Sequence, residues 1–87
     1  MATTASPRTT DLSLLIEARE AAASGRAARL RRAAGLSQRE VARAVGVTPG
    51  CITRWELGER RPTGAVAAEY GRVLREIAEG LIRGNGR

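Results

Sequence analysis

Between residues 25 and 58 the chain is punctuated by Gly25, Gly35, Gly46 and Gly58, and the intervals between them repeat their apolar residues with the 3.6-residue period of a helix. Nowhere do β-branched residues alternate with the two-residue period of a strand, and there is no internal repeat. The fold class that follows is all-α, a small bundle of helices.

Start and stop signals place the elements. Asp11 is a good N-cap for a first helix to about Ser24, with Leu12, Leu15, Ile16, Arg19 and Ala22 or Ala23 along its inward stripe. Ser24-Gly25 breaks or kinks the chain, leaving open one long kinked helix across 11–34. Arg26 to Ala34 turn Ala27, Leu30 and Ala34 inward and end at Gly35 as a left-handed cap. Ser37-Gln38-Arg39-Glu40 is a capping box that opens a short helix over 38–45, stopped by Gly46. Thr48 caps the next helix, over 49–57, with Pro49 in its first turn and Gly58 at its end. Pro62-Thr63 opens the longest helix, to about Ile82, with Val66, Tyr70, Val73, Leu74, Ile77 and Leu81 inward and its ends weakened by Gly71 and Gly80. Residues 1–10 and 83–87 lack periodicity and are expected to be flexible tails around a domain of 11–82.

Composition removes most chemistries. All 15 basic residues are arginine, and there is no lysine, histidine or phenylalanine. Without lysine there is no P-loop lysine, Schiff base or Ser-Lys dyad; without histidine there is no Ser-His or Cys-His pair and no zinc finger. Cys51 is the only cysteine and has no partner for an internal disulfide, which points to a reducing cytoplasm. No enzyme activity, metal, cofactor or small-molecule ligand is expected. Sixteen alanines leave 21 larger apolar side chains for a core, a small number for a single domain. No apolar run is long enough for a membrane span, and the first residues lack the apolar segment of a secretion signal.

The formal net charge of +6 suggests a polyanion such as nucleic acid. Arginine with abundant alanine and glycine is also what a GC-rich coding sequence yields. The distribution decides more than the total. Residues 26–61 hold nine arginines against three glutamates, whereas the flanks 1–25 and 62–87 carry −1 and +1.

That charged segment contains the spacing of a helix-turn-helix. With Gln38 as the first slot of the roughly 20-residue unit, the fourth, fifth, eighth, tenth, fifteenth and eighteenth slots are Val41, Ala42, Val45, Val47, Ile52 and Trp55. The ninth is Gly46, which can supply the positive φ of the turn. Ala42 must be small because the second helix crosses over it.

The stretch from Leu30 to Ala42, followed by Gly46-Val47-Thr48, Ile52-Thr53-Arg54-Trp55-Glu56-Leu57-Gly58 and Pro62, resembles the phage Cro/CI-type (XRE) helix-turn-helix family over about residues 25–80. The resemblance implies a lambda-repressor-like bundle, binding to duplex DNA, and homodimers on palindromic operators. It also implies a structural ion pair between Arg31 and Glu56. The chain departs from the family in an extra N-terminal helix and in a long C-terminal helix where two short ones are usual.

In a helix-turn-helix the N-terminal half of the second helix enters the major groove. With Ile52 and Trp55 inward, Pro49, Gly50, Cys51, Thr53 and Arg54 point out. Arg54 is the candidate reader of a guanine through O6 and N7, with a phosphate contact as the alternative. Gly50 and Cys51 are small enough for close approach. Cys51 can touch a thymine methyl, and a redox switch is its alternative role. Thr53 can meet a base or a phosphate. Gln38 is a candidate for both, because it begins a helix whose free N–H groups suit a phosphate oxygen. Arg39, Arg43, Thr48, Arg60, Arg61 and Thr63 are candidate backbone contacts. Trp55 belongs to the core, which leaves little for base stacking and disfavours single-strand or RNA recognition. The expected function is a cytoplasmic, DNA-binding Cro-like repressor that occludes a promoter; an antitoxin-type interaction module that autoregulates its operon is the alternative.

Overall fold

The computed structural model describes residues 5–85, with side chains from Leu12 to Gly84. Five helices are present: α1 (Ala5–Ser24), α2 (Arg26–Ala33), α3 (Gln38–Val45), α4 (Pro49–Leu57) and α5 (Gly64–Asn85). The described residues contain no strand, and none of these helices is long and apolar enough to cross a membrane.

Local sequence sets the boundaries of the three short helices. Gly25, with φ +85°, separates α1 from α2, so 11–34 is two helices. At the end of α2 the Leu36 N–H donates to the Arg31 carbonyl and the Gly35 N–H to that of Arg32, both at 3.0 Å, the paired bonds of a Schellman motif. At the start of α3 the Glu40 N–H donates to Ser37 Oγ at 3.0 Å while the Ser37 N–H donates to Glu40 Oε1 at 2.8 Å, completing the capping box. Gly46 turns the chain toward α4 with φ +94°, a conformation that a Cβ would strain. Thr48 Oγ1 accepts from the Cys51 N–H at the start of α4, and Pro49 occupies the first turn.

The core lies where all five helices meet. Val41, Ala42 and Val45 of α3 and Ile52 and Trp55 of α4 pack on Tyr70, Val73, Leu74 and Ile77 of α5, with Ala18, Ala21 and Ala27 closing the far side and Val47 against its edge. All six apolar helix-turn-helix slots therefore face inward. The Trp55 and Tyr70 rings stack at a tilt with centroids 4.7 Å apart, worth about 0.5–1.5 kcal/mol beyond their buried area.

The two long helices depart from expectation. Helix α1 begins at Ala5, so Asp11 is inside it rather than at its N-cap, and residues 5–10 are helical rather than a tail. Pro7 is compatible with this because the first turn has no intrahelical N–H bonds to lose. Helix α5 begins at Gly64 instead of Pro62-Thr63 and continues through Arg83 to Asn85, because Gly80 and Gly84 do not take the left-handed φ that ends a helix. Residues 1–4 and 86–87 of the expected tails lie outside the described residues.

The faces differ as well. In α1 the buried stripe is Leu14, Ala18, Ala21 and Ala22, and Leu12 and Ile16, expected inward, are exposed. In α5 Ala67 and Ala68 are buried and Val66 is exposed; at the end of α2 Ala34 is exposed too. The cause is a close crossing. A Cβ added to Gly71 of α5 would lie 2.2 Å from the Leu14 carbonyl oxygen. Backbones this near accept only alanine and glycine between them, so the small residues, not the largest apolar ones, choose which side of α1 turns inward.

Candidate nucleic-acid interface

A part-buried polar network fixes α4 to α2 and α3. Arg31 of α2 donates through Nε to Glu56 Oε2 at 2.6 Å and through Nη2 to Glu56 Oε1 at 3.0 Å, while its Nη1 donates to the Leu36 carbonyl at 3.0 Å. The two side chains are only 12% and 6% exposed. Gln38 Nε2 adds a third donor to the carboxylate, at 2.9 Å from Oε1. Burial pushes the Glu56 carboxyl upward, but the hydrogen bonds from Arg31 and Gln38 and the charges of Arg31 and Arg32 outweigh it and hold it below its ordinary value. The same hydrogen bond holds the Arg31 guanidinium above its own ordinary value against the cost of burial. The expected ion pair is present, and its geometry is bidentate.

The network continues to the helix surface. Gln38 Oε1 accepts from Thr53 Oγ1 at 2.8 Å, and the same hydroxyl lies 3.1 Å from the Pro49 carbonyl. Gln38 and Thr53, both expected to face DNA, are thus half-buried and engaged with each other. Gln38 keeps one amide proton and Thr53 its methyl group for any outside partner.

Beyond this network α4 presents Pro49, Gly50 and Arg54 exposed and Cys51 half-buried against the core. Around it Arg39 and Arg43 of α3, Thr48 at the cap, and Arg60, Arg61 and Thr63 of the following loop are all exposed. Among the described residues, Arg39, Arg43, Arg54, Arg60 and Arg61 have no carboxylate within salt-bridge distance. Their charge is uncompensated.

One contributor is missing from the sequence-based list. Arg19 of α1 donates through Nε to the Pro62 carbonyl at 2.9 Å, pinning the loop that carries Arg60 and Arg61. Arg19, Arg60 and Arg61 share a recess of about 210 Å³ with Trp55 and Pro62. The signal was an arginine on an otherwise apolar stripe, since a half-buried guanidinium requires an acceptor.

A helix-turn-helix family model matches residues 27–80. The chain belongs to the XRE-type helix-turn-helix family. The matched span runs from the start of α2 into the second half of α5 and leaves α1 outside. Neither curated proteins nor solved structures give a match. The family is one of DNA-binding regulators rather than of enzymes, and this XRE-type chain is a DNA-binding helix-turn-helix regulator.

Proposed function

We propose that this helix-turn-helix protein is a sequence-specific transcription regulator of double-stranded DNA, a Cro-like repressor that occludes a promoter as a homodimer on a palindromic operator in the cytoplasm of a bacterial or phage-infected cell. Helix α4 enters the major groove. The observation that carries this reading is Arg54: an exposed guanidinium with no carboxylate partner among the described residues, on a helix held from behind by Ile52, Trp55 and Glu56.

Arg54 reads guanine, Gly50 permits close approach, and Cys51 meets a thymine methyl. Gln38 and Thr53 act chiefly on each other, so their part is to hold the α4 surface in register, with the spare amide proton of Gln38 directed to a phosphate or an adenine and the methyl of Thr53 to a base. Arg39, Arg43, Arg60 and Arg61, with Thr48 and Thr63, grip phosphates.

Selection of bound duplexes from a random pool tests the reading. The wild-type chain should enrich a motif containing guanine, and Arg54→Ala should lose the preference at that position. Affinity for the selected site should fall with salt at a log–log slope of about 0.9 per phosphate neutralised. A pool with no enrichment, or a flat salt response, would overturn the proposal.

A further inference from the structure

The α1 helix is outside the family match, and its outer face carries an apolar stripe beside the polar Ser13, Glu17 and Glu20. Leu12 is 56% exposed and Ile16, one turn later on the same stripe, is 64% exposed. Leu12 and Leu15 also form one wall of a groove of about 550 Å³, whose other side is the start of α5 at Gly64, Ala65 and Ala68, with Glu69 and Arg72 at its rim. Single exposed apolar residues are ordinary; a stripe that continues into an apolar groove marks an interaction surface.

We infer that this face is where a second copy of the chain docks, α1 against α1, with each copy's Leu12 and Ile16 entering the other's groove. The inference rests on the homodimeric regulator reading and names the surface it uses. Charge selects the occupant. Residues 26–61 hold nine arginines against three glutamates, and two copies that met there would repel each other.

On α1 and α5 the charges are matched instead. Arg75 pairs with Glu17 at 2.6 Å, and Arg72 with Glu69 and Glu76. The groove rim itself carries one carboxylate and one guanidinium, Glu69 and Arg72. A two-fold contact brings a patch against itself, so a rim with both signs can exchange its ion pairs across the axis, whereas a rim of one sign cannot. A dimer formed here leaves Arg54 of both copies uncovered, because neither α4 nor the exposed side of α3 contributes to the groove.

Sedimentation of the full chain without DNA tests the inference independently of any operator. The wild type should associate to twice the monomer mass. Leu12→Asp and Ile16→Asp should each raise the dimer dissociation constant by about 100-fold or more, since each change occurs twice in a two-fold contact. Both positions are exposed, so the variants should keep the wild-type circular dichroism, while the wild-type melt alone should rise with protein concentration. Binding of a single half-site by the Ile16→Asp chain checks the DNA-binding reading separately, and it should persist. A wild-type chain that remains monomeric to about 0.5 mM, free and on a palindromic duplex, would overturn the inference. So would a double variant, Leu12→Asp with Ile16→Asp, that dimerises like the wild type. A monomeric wild type that binds phosphatidylglycerol vesicles through these residues would give the face to lipid and overturn it equally.

Discussion

The α1–α5 pair and the α2–α4 unit use the same amino acid in opposite ways. On α5 the arginines are paired with glutamates along the helix or across to α1, as Arg72 is with Glu69 and Glu76 and Arg75 with Glu17. On α3, α4 and the loop after them, Arg39, Arg43, Arg54, Arg60 and Arg61 have no such partner among the described residues. In α2, Arg26 and Arg31 are paired, with Glu20 and Glu56, and only the Arg31–Glu56 pair is shielded from solvent, its side chains 12% and 6% exposed. A charge held by a neighbouring carboxylate contributes little field at a distance, whereas five unpaired guanidiniums around one helix create a surface that attracts a polyanion. The packing differs in parallel: the motif fills its core with larger side chains, while α1 and α5 meet through alanine and glycine.

The sharpest break of this contrast is to remove the one buried pair. Arg31→Met should destabilise the fold by about 3–5 kcal/mol, because it leaves the Glu56 carboxylate buried without its main partner; urea denaturation measures it. The pH dependence has a defined sign. Glu56 has a folded-state pKa below its unfolded value, so its contribution is present above about pH 4.3 and is lost as pH falls through the lower folded value. Thermal midpoints of the wild type should therefore drop as the pH falls below about 4.3, and Glu56→Gln should flatten that drop.

On the α1–α5 side the corresponding break is steric. Gly71→Ala should cost about 3 kcal/mol, the upper end for overpacking, because the Leu14 backbone cannot move aside as a side-chain tip could. A loss below about 1 kcal/mol in the same denaturation experiment would mean that the two backbones are farther apart than 2.2 Å implies.

Smaller effects separate readers from clamps. Arg54→Ala should lose about 1–3 kcal/mol of discrimination at one base position, measured as the affinity ratio for duplexes that differ at that position. Arg61→Ala should weaken binding to all duplexes alike and reduce the salt slope by about 0.9. Smallest of all, Arg75→Ala should change stability by less than about 1 kcal/mol, since its pair with Glu17 is exposed on both sides. If Arg75→Ala weakened DNA binding as much as Arg61→Ala, the division between paired and free arginines would carry no functional meaning.

The motif was legible residue by residue because its signals are local. Ser37 with Glu40, Thr48 with Pro49, and Gly46 each act within one turn of chain, and the six apolar slots follow from the spacing of the helix-turn-helix template within 18 residues. Arg31 with Glu56 was legible by family resemblance. What could not be read was competition for the same side chain. Gln38 and Thr53 looked available to DNA, and only their 2.8 Å approach in space shows that each is the other's partner. Arg19 was placed on the inward stripe, but its acceptor, the Pro62 carbonyl, is 43 residues away in sequence.

By itself the sequence determined the all-α class, the two short helices with their caps, the inward slots of the motif and the concentration of charge in residues 26–61. These depend on hydrogen bonds between near neighbours, on helical period and on simple counting. Only the tertiary structure decided which face of α1 is buried. Helical period marks Leu12, Leu15 and Ile16 as an apolar stripe, but burial goes to whichever face fits its neighbour most closely. Gly71 admits the backbone of Leu14 and brings Ala18 and Ala21 inward, which leaves Leu12 and Ile16 outside. That exchange is a matter of shape between helices distant in sequence, and no local pattern encodes it.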